Sequence, residues 1–155
     1  MKKLPKFLTL LIAALALHSC FLLEPTPLKT QIANKWALEK EERSSGQVNY
    51  DNGATILTFH SSGKLSMPMS DGSTWYFATW TVDEDKKMLY IRDNANSQST
   101  VWSGDFQVLS ISSSKLVIST KYSYDSYTTT YTFTKYTENQ NNTQTGAPSH
   151  SGHSH

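Results

Sequence analysis

Cysteine is almost absent from this sequence: the chain has one, Cys20, and therefore cannot form an intramolecular disulfide. Any folded domain must be held together by a hydrophobic core. Histidine is scarce as well, because between the N-terminal and C-terminal segments the sequence holds only His60. A serine–histidine catalytic pair would need His60, which we expect to be a solvated residue at a strand end, and no nearby serine is marked as a nucleophile. We therefore predict that the protein is not an enzyme.

The sequence also has no basic stripe and no apolar run long enough to cross a bilayer. Three of the 14 basic side chains and none of the 13 acidic ones precede Cys20, which leaves 11 against 13 in the rest of the chain. This weakly acidic balance argues against a nucleic-acid partner. The longest apolar run extends from Phe7 to Leu17 and is interrupted by Thr9. It has about half of the roughly 20 residues that a membrane-spanning helix needs.

The carboxylates and histidines do not have the spacing that a catalytic site or a metal site needs. Asp83, Glu84 and Asp85 fall in one tight turn, whereas glycoside hydrolysis needs two carboxylates on either side of a cleft. We expect these three to be solvated, with a weak Ca²⁺ site as the alternative. The other histidines after Cys20 are in the C-terminal tail: His150, His153 and His155. They offer three imidazoles to a transition metal but no fourth ligand, so we expect a solvated tail, no metal and no cofactor.

What the sequence does have begins with a basic and then apolar N-terminus. Lys2, Lys3 and Lys6 precede the apolar run, which ends close to small residues. This order is typical of a secretion signal over residues 1–19, and a buried core helix, the alternative, would need a polar face that the run lacks. The following residues, Leu17-His18-Ser19-Cys20, resemble a bacterial lipobox. The resemblance implies cleavage before Cys20 and a diacylated Cys20; a stray buried cysteine is the alternative.

A lipidated Cys20 makes the membrane the first expected partner. Residues 20–27 form a tether in this interpretation, since Pro25 and Pro27 favour an extended path. Phe21 follows the cysteine, so the aspartate that retains many Gram-negative lipoproteins at the inner membrane is absent. Glu24 is the only acidic residue nearby, and an acidic run would have suggested surface export. The resemblance therefore implies an outer-membrane lipoprotein, on the periplasmic side.

The rest of the chain predicts one short helix and many strands. Leu28 and Ile32 are spaced as neighbours on one helix face, which favours one or two helical turns over 28–34. Eight runs rich in β-branched and aromatic residues follow, separated by turn residues. They span 35–42, 54–60, 64–69, 74–81, 87–92, 100–111, 115–121 and 128–136. Short connections without a crossover helix predict an all-β, eight-stranded antiparallel up-and-down barrel over 28–136, with a β-sandwich as the alternative. Residues 137–155 predict a disordered polar tail.

This order of features resembles the lipocalin-like lipoproteins of bacteria. They have a lipobox, a tether, a helical turn and a Trp at the first of eight meander strands, where Trp36 stands here. The family pattern G-x-W corresponds to Asn34-Lys35-Trp36, with Asn34 in place of the Gly. The resemblance implies that Trp36 closes one barrel end beneath a basic residue of the last strand. Lys135 is the candidate for that cation–π contact.

The fourth predicted strand carries aromatic residues on both faces. We expect Tyr76, Ala78 and Trp80 to point into the barrel. Trp75 and Phe77 would then point outward, covered by the N-terminal helical turn, by a long loop or by a partner. Met67 and Met69 on the third strand are also predicted to point inward, where they would make a cavity adaptable. The predicted ligand-binding residues are Phe59, Met67, Met69, Tyr76 and Trp80.

Three tyrosines cluster near the last hairpin. Tyr122, Tyr124 and Tyr127 offer rigid amphipathic surface for recognition, with cross-strand packing as the alternative. Two functions remain open. In the first, the barrel holds a small apolar or amphipathic ligand. In the second, the barrel is solid and its exposed aromatics bind glycan or a protein of the cell envelope.

Overall fold

The computed structural model describes residues 25–95 and 100–138. The predicted signal peptide, Cys20 and the tail that carries His150, His153 and His155 lie outside these residues. Within them, no helix is long and apolar enough to span a membrane.

The described chain has one helix and nine strands. Helix α1 is Leu28–Ile32, and its two apolar residues are both buried, as the i,i+4 spacing predicts. The strands are β1 Lys35–Arg43, β2 Val48–Tyr50, β3 Ile56–Phe59, β4 Lys64–Pro68, β5 Thr74–Asp83, β6 Met88–Asp93, β7 Gly104–Ile111, β8 Lys115–Thr120 and β9 Thr129–Lys135. Eight of them match the predicted strands with shifted ends, and β2 was not predicted.

The strands form a closed antiparallel barrel. Each of β3 to β8 pairs with the next strand along the chain, and β9 pairs back with β1. Two strands pair with the same edge of β1. Strand β3 pairs with its first part, Lys35–Ala37, and the short β2 pairs with its later part, Lys40–Glu42. The predicted eight-stranded all-β barrel is therefore confirmed, with one extra strand. All three residues of β2 are exposed, and a run of three residues is too short for an alternation to indicate a strand.

The barrel has two unlike ends. At the end that we call the helix end, β1, β4, β6 and β8 begin and α1 packs on the core. The indole Nε1 of Trp36 donates a hydrogen bond to the carbonyl oxygen of Ile32 at 2.9 Å, which ties the last helical residue to β1. At the opposite end, which we call the mouth, β5, β7 and β9 begin and the longer loops lie.

Large side chains fill the interior. Phe59 and Trp80 are fully buried, and their rings meet edge to face with centroids 5.4 Å apart. The other large aromatic side chains that are fully buried are Trp36, Phe77, Phe106 and Phe133. These rings belong to one hydrophobic core cluster, as expected for a close-packed protein interior. The predicted ligand-binding residues Phe59 and Trp80 are therefore core residues.

A β-bulge changes which residues of β5 point inward. Leu65 of β4 pairs with Ala78, but the next residue, Ser66, pairs with Tyr76, so Phe77 is an extra residue between two pairs. Phe77 and Ala78 are consequently both buried, whereas Tyr76 is 49% exposed. The predicted inward orientation is right for Ala78 and Trp80 and wrong for Tyr76.

The predicted outward pair on β5 is wrong for the same reason. Phe77 is fully buried and Trp75 is half-buried against the core, with the two ring centroids 5.2 Å apart. The two side chains therefore form no apolar patch that α1 or a partner would have to cover.

The two methionines of the third predicted strand differ in burial. Met67 packs half-buried against the core. Met69 lies beyond the end of β4 and is 44% exposed, so its predicted inward orientation is wrong. Its backbone closes a turn instead: its N–H donates to Ser73, and its carbonyl accepts from Gly72.

The cation–π contact observed at this end of the barrel is not the predicted contact between Lys135 and Trp36. The two residues are direct partners in the β1–β9 register. The lysine that lies over an aromatic ring at this point of the rim is Lys35, whose Nζ is 4.2 Å from the ring centroid of Tyr136. Trp36 is held by α1 and the core.

Candidate functional site

A pocket of about 440 Å³ opens at the mouth of the barrel. We call it the mouth pocket. It lies between β1, the loop before β3, the loop before β7, and the loop between β8 and β9. Its lining residues are Leu38, Glu41, Arg43, Asp51, Thr55, Val101, Trp102, Tyr122, Tyr124, Asp125, Tyr127, Thr129 and Tyr131.

The floor of the mouth pocket is aromatic. Trp102 is buried and packs at 5.0 Å from the ring centroid of Tyr131 and at 5.8 Å from that of Phe133. The loop that carries Trp102 is fixed by Asp93, whose carboxylate accepts from the backbone N–H and the hydroxyl of Thr100 at 3.0 and 2.8 Å. The hydroxyl oxygen of Thr100 in turn accepts from the N–H of Trp102. Hydrogen bonds within the protein therefore position the floor.

One wall is built from tyrosines. Tyr122 and Tyr124 stack with their ring centroids 5.5 Å apart and their planes within 9°. The hydroxyl of Tyr122 donates to the carbonyl oxygen of Val101, which joins the β8–β9 loop to the loop before β7. Burial raises the pKa of the Tyr122 hydroxyl well above its usual range, and burial also raises the pKa of the Tyr131 hydroxyl. Both phenols therefore stay neutral at physiological pH, and the Tyr122 hydroxyl is used within the wall itself.

The other side of the mouth pocket is charged. Arg43 Nε lies 3.0 Å from Glu41 Oε1, and the guanidinium lies 5.0 Å from the ring centroid of Tyr127. Asp51 uses one carboxylate oxygen on the N–H of Thr55 at 2.6 Å and the other on its hydroxyl at 2.9 Å. With Asp125, three carboxylates and one guanidinium border the pocket. The pocket is therefore net acidic, and its single guanidinium is already paired.

The structure brings one predicted set of residues together and separates the other. Tyr122, Tyr124 and Tyr127, predicted as a recognition surface, all line the mouth pocket. None of the five residues predicted to bind a ligand lines the mouth pocket. Phe59, Trp80 and Met67 pack in or against the core, and Met69 and Tyr76 are exposed elsewhere.

Several lining residues were missed by sequence reasoning. The alternation of β9 could have indicated Tyr131, which shares the inward face with Thr129 and Phe133. Trp102 follows a polar, Asn-rich loop and carries no periodic signal. Glu41, Arg43 and Asp51 are far from the tyrosines in sequence, and only closure of β1 onto β9 brings them to the same pocket.

His60 differs from its prediction as a solvated strand-end residue. It is half-buried, and its Nε2 lies 2.8 Å from the hydroxyl oxygen of Ser66. Ser66 is only 1% exposed, so a substrate has no access to its hydroxyl. A nucleophile–base pair needs that access, and the contact is better explained as the satisfaction of a buried polar group.

The acidic turn is likewise not merely solvated. Glu84 accepts hydrogen bonds from the backbone N–H groups of Leu28 and Lys29 at 2.8 and 2.9 Å. Asp83 pairs with Lys86 at 3.2 Å, and the hydrogen bond from the Lys86 backbone N–H is the main reason why the pKa of Asp83 is lowered. Across residues 25–95 and 100–138, no three His, Cys, Asp or Glu side chains are grouped as a metal site.

The comparisons with known proteins define the fold. The chain is similar to a solved lipocalin-like protein from Bacteroides uniformis, with a TM-score of 0.52 and 19% sequence identity, over 68% of this chain and 99% of that one. No family model and no curated protein matches the sequence. At this identity the likeness establishes the lipocalin-like fold, and it agrees with the closed eight-stranded barrel and the helical segment before β1.

Proposed function

We propose that this chain is a membrane-anchored, lipocalin-like binding protein that holds a small amphipathic ligand in the mouth pocket. The observation that carries the proposal is the mouth pocket itself: an aromatic floor under a ring of polar groups, with a volume of about 440 Å³. Small-molecule sites have this character, with apolar walls and a few placed polar atoms. Because large aromatic side chains are buried in the barrel interior, we assign the proposed site to the mouth and not to the barrel centre.

The lining favours one class of ligand. Trp102 and the stacked Tyr122 and Tyr124 offer faces to a flat apolar group. The carboxylates at the rim accept hydrogen bonds and disfavour a ligand carboxylate, because the only guanidinium is held by Glu41. The ligand is therefore a molecule with a flat apolar part and a hydroxyl-bearing or cationic part, and a free fatty acid fits poorly.

A second candidate is recognition of an envelope glycan or protein through the same tyrosines. The observation in its favour is Tyr124, which is 81% exposed although it stacks on Tyr122. An exposed, supported aromatic face suits a sugar ring of a larger molecule as well as it suits a small ligand. The two candidates differ in whether the bound molecule is enclosed by the mouth pocket or extends beyond it.

The anchor and location belong to the proposal because they rest on residues 1–24. The lipobox-like Leu17-His18-Ser19-Cys20 supports lipid attachment at Cys20, and Phe21 after it supports the outer membrane, periplasmic side. Two acyl chains on Cys20 would hold the protein stably, where a single chain would not. We propose binding rather than catalysis, since lipocalin-like barrels typically bind.

The test uses the full chain with Cys20→Ser, so that lipid on the anchor cannot be mistaken for ligand. Native mass spectrometry looks for a co-purifying small molecule, and titration with the neutral probe N-phenyl-naphthylamine measures occupancy of the mouth pocket. Tyr124→Ala is expected to weaken probe binding severalfold. Tyr50→Ala, which removes another exposed tyrosine that does not line the pocket, is the matched control.

Equal effects of Tyr124→Ala and Tyr50→Ala would contradict the mouth pocket as the site. A clean unliganded mass together with no probe binding, but retention on immobilised envelope glycan that Tyr124→Ala abolishes, would favour the second candidate.

A further inference from the structure

Lysine side chains from six separate parts of the chain gather at the helix end of the barrel. Lys29 is on α1, Lys35 begins β1, and Lys64 begins β4. The remaining lysines of this end are in the β5–β6 turn, at the start of β8 and at the end of β9: Lys86, Lys87, Lys115 and Lys135. Because these seven positions are spread over residues 29 to 135, the sequence shows no basic cluster, and only barrel closure creates one.

Few acidic groups neutralise these lysines. The β5–β6 turn supplies Asp83, which pairs with Lys86, and Glu84, which accepts from backbone N–H groups of α1, together with Asp85. Glu138 follows the end of β9, three residues after Lys135, and is exposed. Glu39 on the barrel wall lies 3.6 Å from Lys115.

Three of the lysines stay available for a partner. Lys29, Lys87 and Lys135 are exposed, and their ammonium groups make no ion pair within the part of the chain that the structure describes.

The mouth half has the opposite charge. It carries seven acidic side chains, on β1, in the loops at the mouth, and at the mouth ends of β6 and β7: Glu41, Glu42, Asp51, Asp71, Asp93, Asp105 and Asp125. Its basic residues are four: Lys40, Arg43, Arg92 and Lys121. The barrel is thus electrically polarised along its axis, basic at the helix end and acidic at the mouth.

The described chain begins at the basic end of the barrel. Pro25 and Pro27 precede α1, and together with Leu28 they border a groove on β7 whose charged residues are Glu84 and Lys87. We propose that the helix end is a docking surface for anionic phospholipid headgroups, which orients the mouth pocket away from the membrane. The proposed lipid anchor would bring this end to the bilayer, but the docking itself depends only on charge.

The physical basis is the negative potential of an anionic membrane. A lysine held near such a surface contributes about fivefold to the partition coefficient, and the effect decays within a Debye length of about 8 Å at physiological salt. Exposed lysines at the end of the barrel can come within that distance. The acidic mouth, on the far side of the barrel, is repelled by the same surface. Both effects favour one orientation.

The first experiment measures co-sedimentation with vesicles. The full chain with Cys20→Ser is mixed with vesicles of phosphatidylcholine alone or phosphatidylcholine with phosphatidylglycerol. Every variant keeps residues 1–24, so any contribution of that apolar segment is common to all. Lys29→Gln, Lys87→Gln and Lys135→Gln together are expected to lower partitioning onto the anionic vesicles on the order of a hundredfold. The matched control, Lys40→Gln, Arg92→Gln and Lys121→Gln, changes net charge equally and is expected to retain binding.

Equal losses in the two triple variants would overturn the proposal in favour of a general charge effect. Binding of soluble polyphosphate that depends on Lys29, Lys87 and Lys135, without binding to anionic vesicles, would overturn it in favour of a soluble polyanion.

The second experiment measures orientation directly. An environment-sensitive fluorophore is attached through Ser113→Cys in the β7–β8 turn at the helix end, or through Ser123→Cys in the β8–β9 loop at the mouth. Both positions are exposed. Anionic vesicles are expected to shift the emission of the probe at position 113 and to leave the probe at position 123 unchanged. A shift at both positions, or only at position 123, would overturn the proposed orientation even if vesicles bind. Failure of this experiment leaves the mouth-pocket proposal standing, because ligand occupancy is measured without vesicles.

Discussion

The carboxylate of Glu84 accepts a hydrogen bond from the backbone N–H of Leu28 at 2.8 Å, across 56 positions of the sequence. Its second oxygen accepts from the N–H of Lys29 at 2.9 Å. Helix α1 needs this contact because its N-cap is Pro27, which gives no side-chain cap. The first N–H groups of a helix have no partner within the helix and carry a partial positive charge, so a carboxylate stabilises them in two ways. The β5–β6 turn therefore holds α1 on the barrel.

Glu84→Ala is expected to lower the free energy of unfolding by about 1 kcal/mol, as the loss of other helix N-caps does. Asp85→Ala removes a neighbouring carboxylate of the same turn that has no contact with α1, and it should change stability by less than about 0.5 kcal/mol. Urea denaturation followed by tryptophan fluorescence measures both. Equal destabilisation by the two substitutions would mean that the charge of the turn matters, and not the cap.

Much of the barrel could be predicted because its strands are amphipathic. In β9 the alternation of Thr with Tyr131 and Phe133 is reproduced by the inward orientation of both rings. What alternation cannot indicate is an interruption of the pairing. The extra residue Phe77 reverses the face of every residue before it on β5, and nothing in the local sequence Trp-Tyr-Phe-Ala marks the position.

The bulge leads to a prediction about two adjacent aromatic residues. Phe77→Ala should lower the free energy of unfolding by about 3–5 kcal/mol because it empties a fully buried site. Tyr76→Ala should cost less than about 1 kcal/mol, since its half-exposed ring packs only against His60 and beneath Lys64. Thermal and urea unfolding of the two variants measure which substitution destabilises the protein more. The reverse order of destabilisation would restore the plain alternation of the sequence and refute the bulge.

The candidate site was harder to predict than the fold. The three tyrosines were indicated by composition alone, but their floor, Trp102, and their charged neighbours come from loops and strands that only the closed barrel brings together. The same holds for the basic helix end, whose lysines are isolated in sequence. Residues that form a strand are specified by their neighbours in the chain, whereas residues that form a pocket or a charged face are specified by the pairing of distant strands.

Substitution of Trp36 tests the second attachment of α1, at the C-terminal end of the helix. Trp36→Ala should lower the free energy of unfolding by about 3–5 kcal/mol, since the side chain is fully buried. Trp36→Phe keeps most of the apolar volume but loses the hydrogen bond to the Ile32 carbonyl, so we expect an intermediate loss of about 1–3 kcal/mol. Equilibrium unfolding of both variants gives the ranking. A Trp36→Ala protein with near-wild-type stability would show that this end of the barrel does not depend on the indole.

The tyrosines of the mouth pocket predict how stability changes in alkali. Burial raises the pKa of Tyr122 in the folded protein. In the unfolded chain a tyrosine has a pKa of about 10. The folded state therefore keeps a proton that the unfolded state loses, and the stabilisation is fully present below about pH 10 and is lost as the pH rises above it. Lysines also deprotonate in this range, so the comparison must be made between variants.

Tyr122→Phe removes the titrating hydroxyl, and the stability of this variant should fall less steeply with pH above about 10 than that of the wild type. Its stability at neutral pH will be lower, because the hydrogen bond to Val101 is lost, but the slope is the quantity compared. Tyr124→Phe, which removes the hydroxyl of the exposed ring in the same stacked pair, is the matched control. Urea unfolding at a series of pH values gives the three slopes. If Tyr122→Phe and the wild type lost stability in parallel, the Tyr122 hydroxyl would have to be accessible to solvent, and the closed wall of the mouth pocket would be wrong.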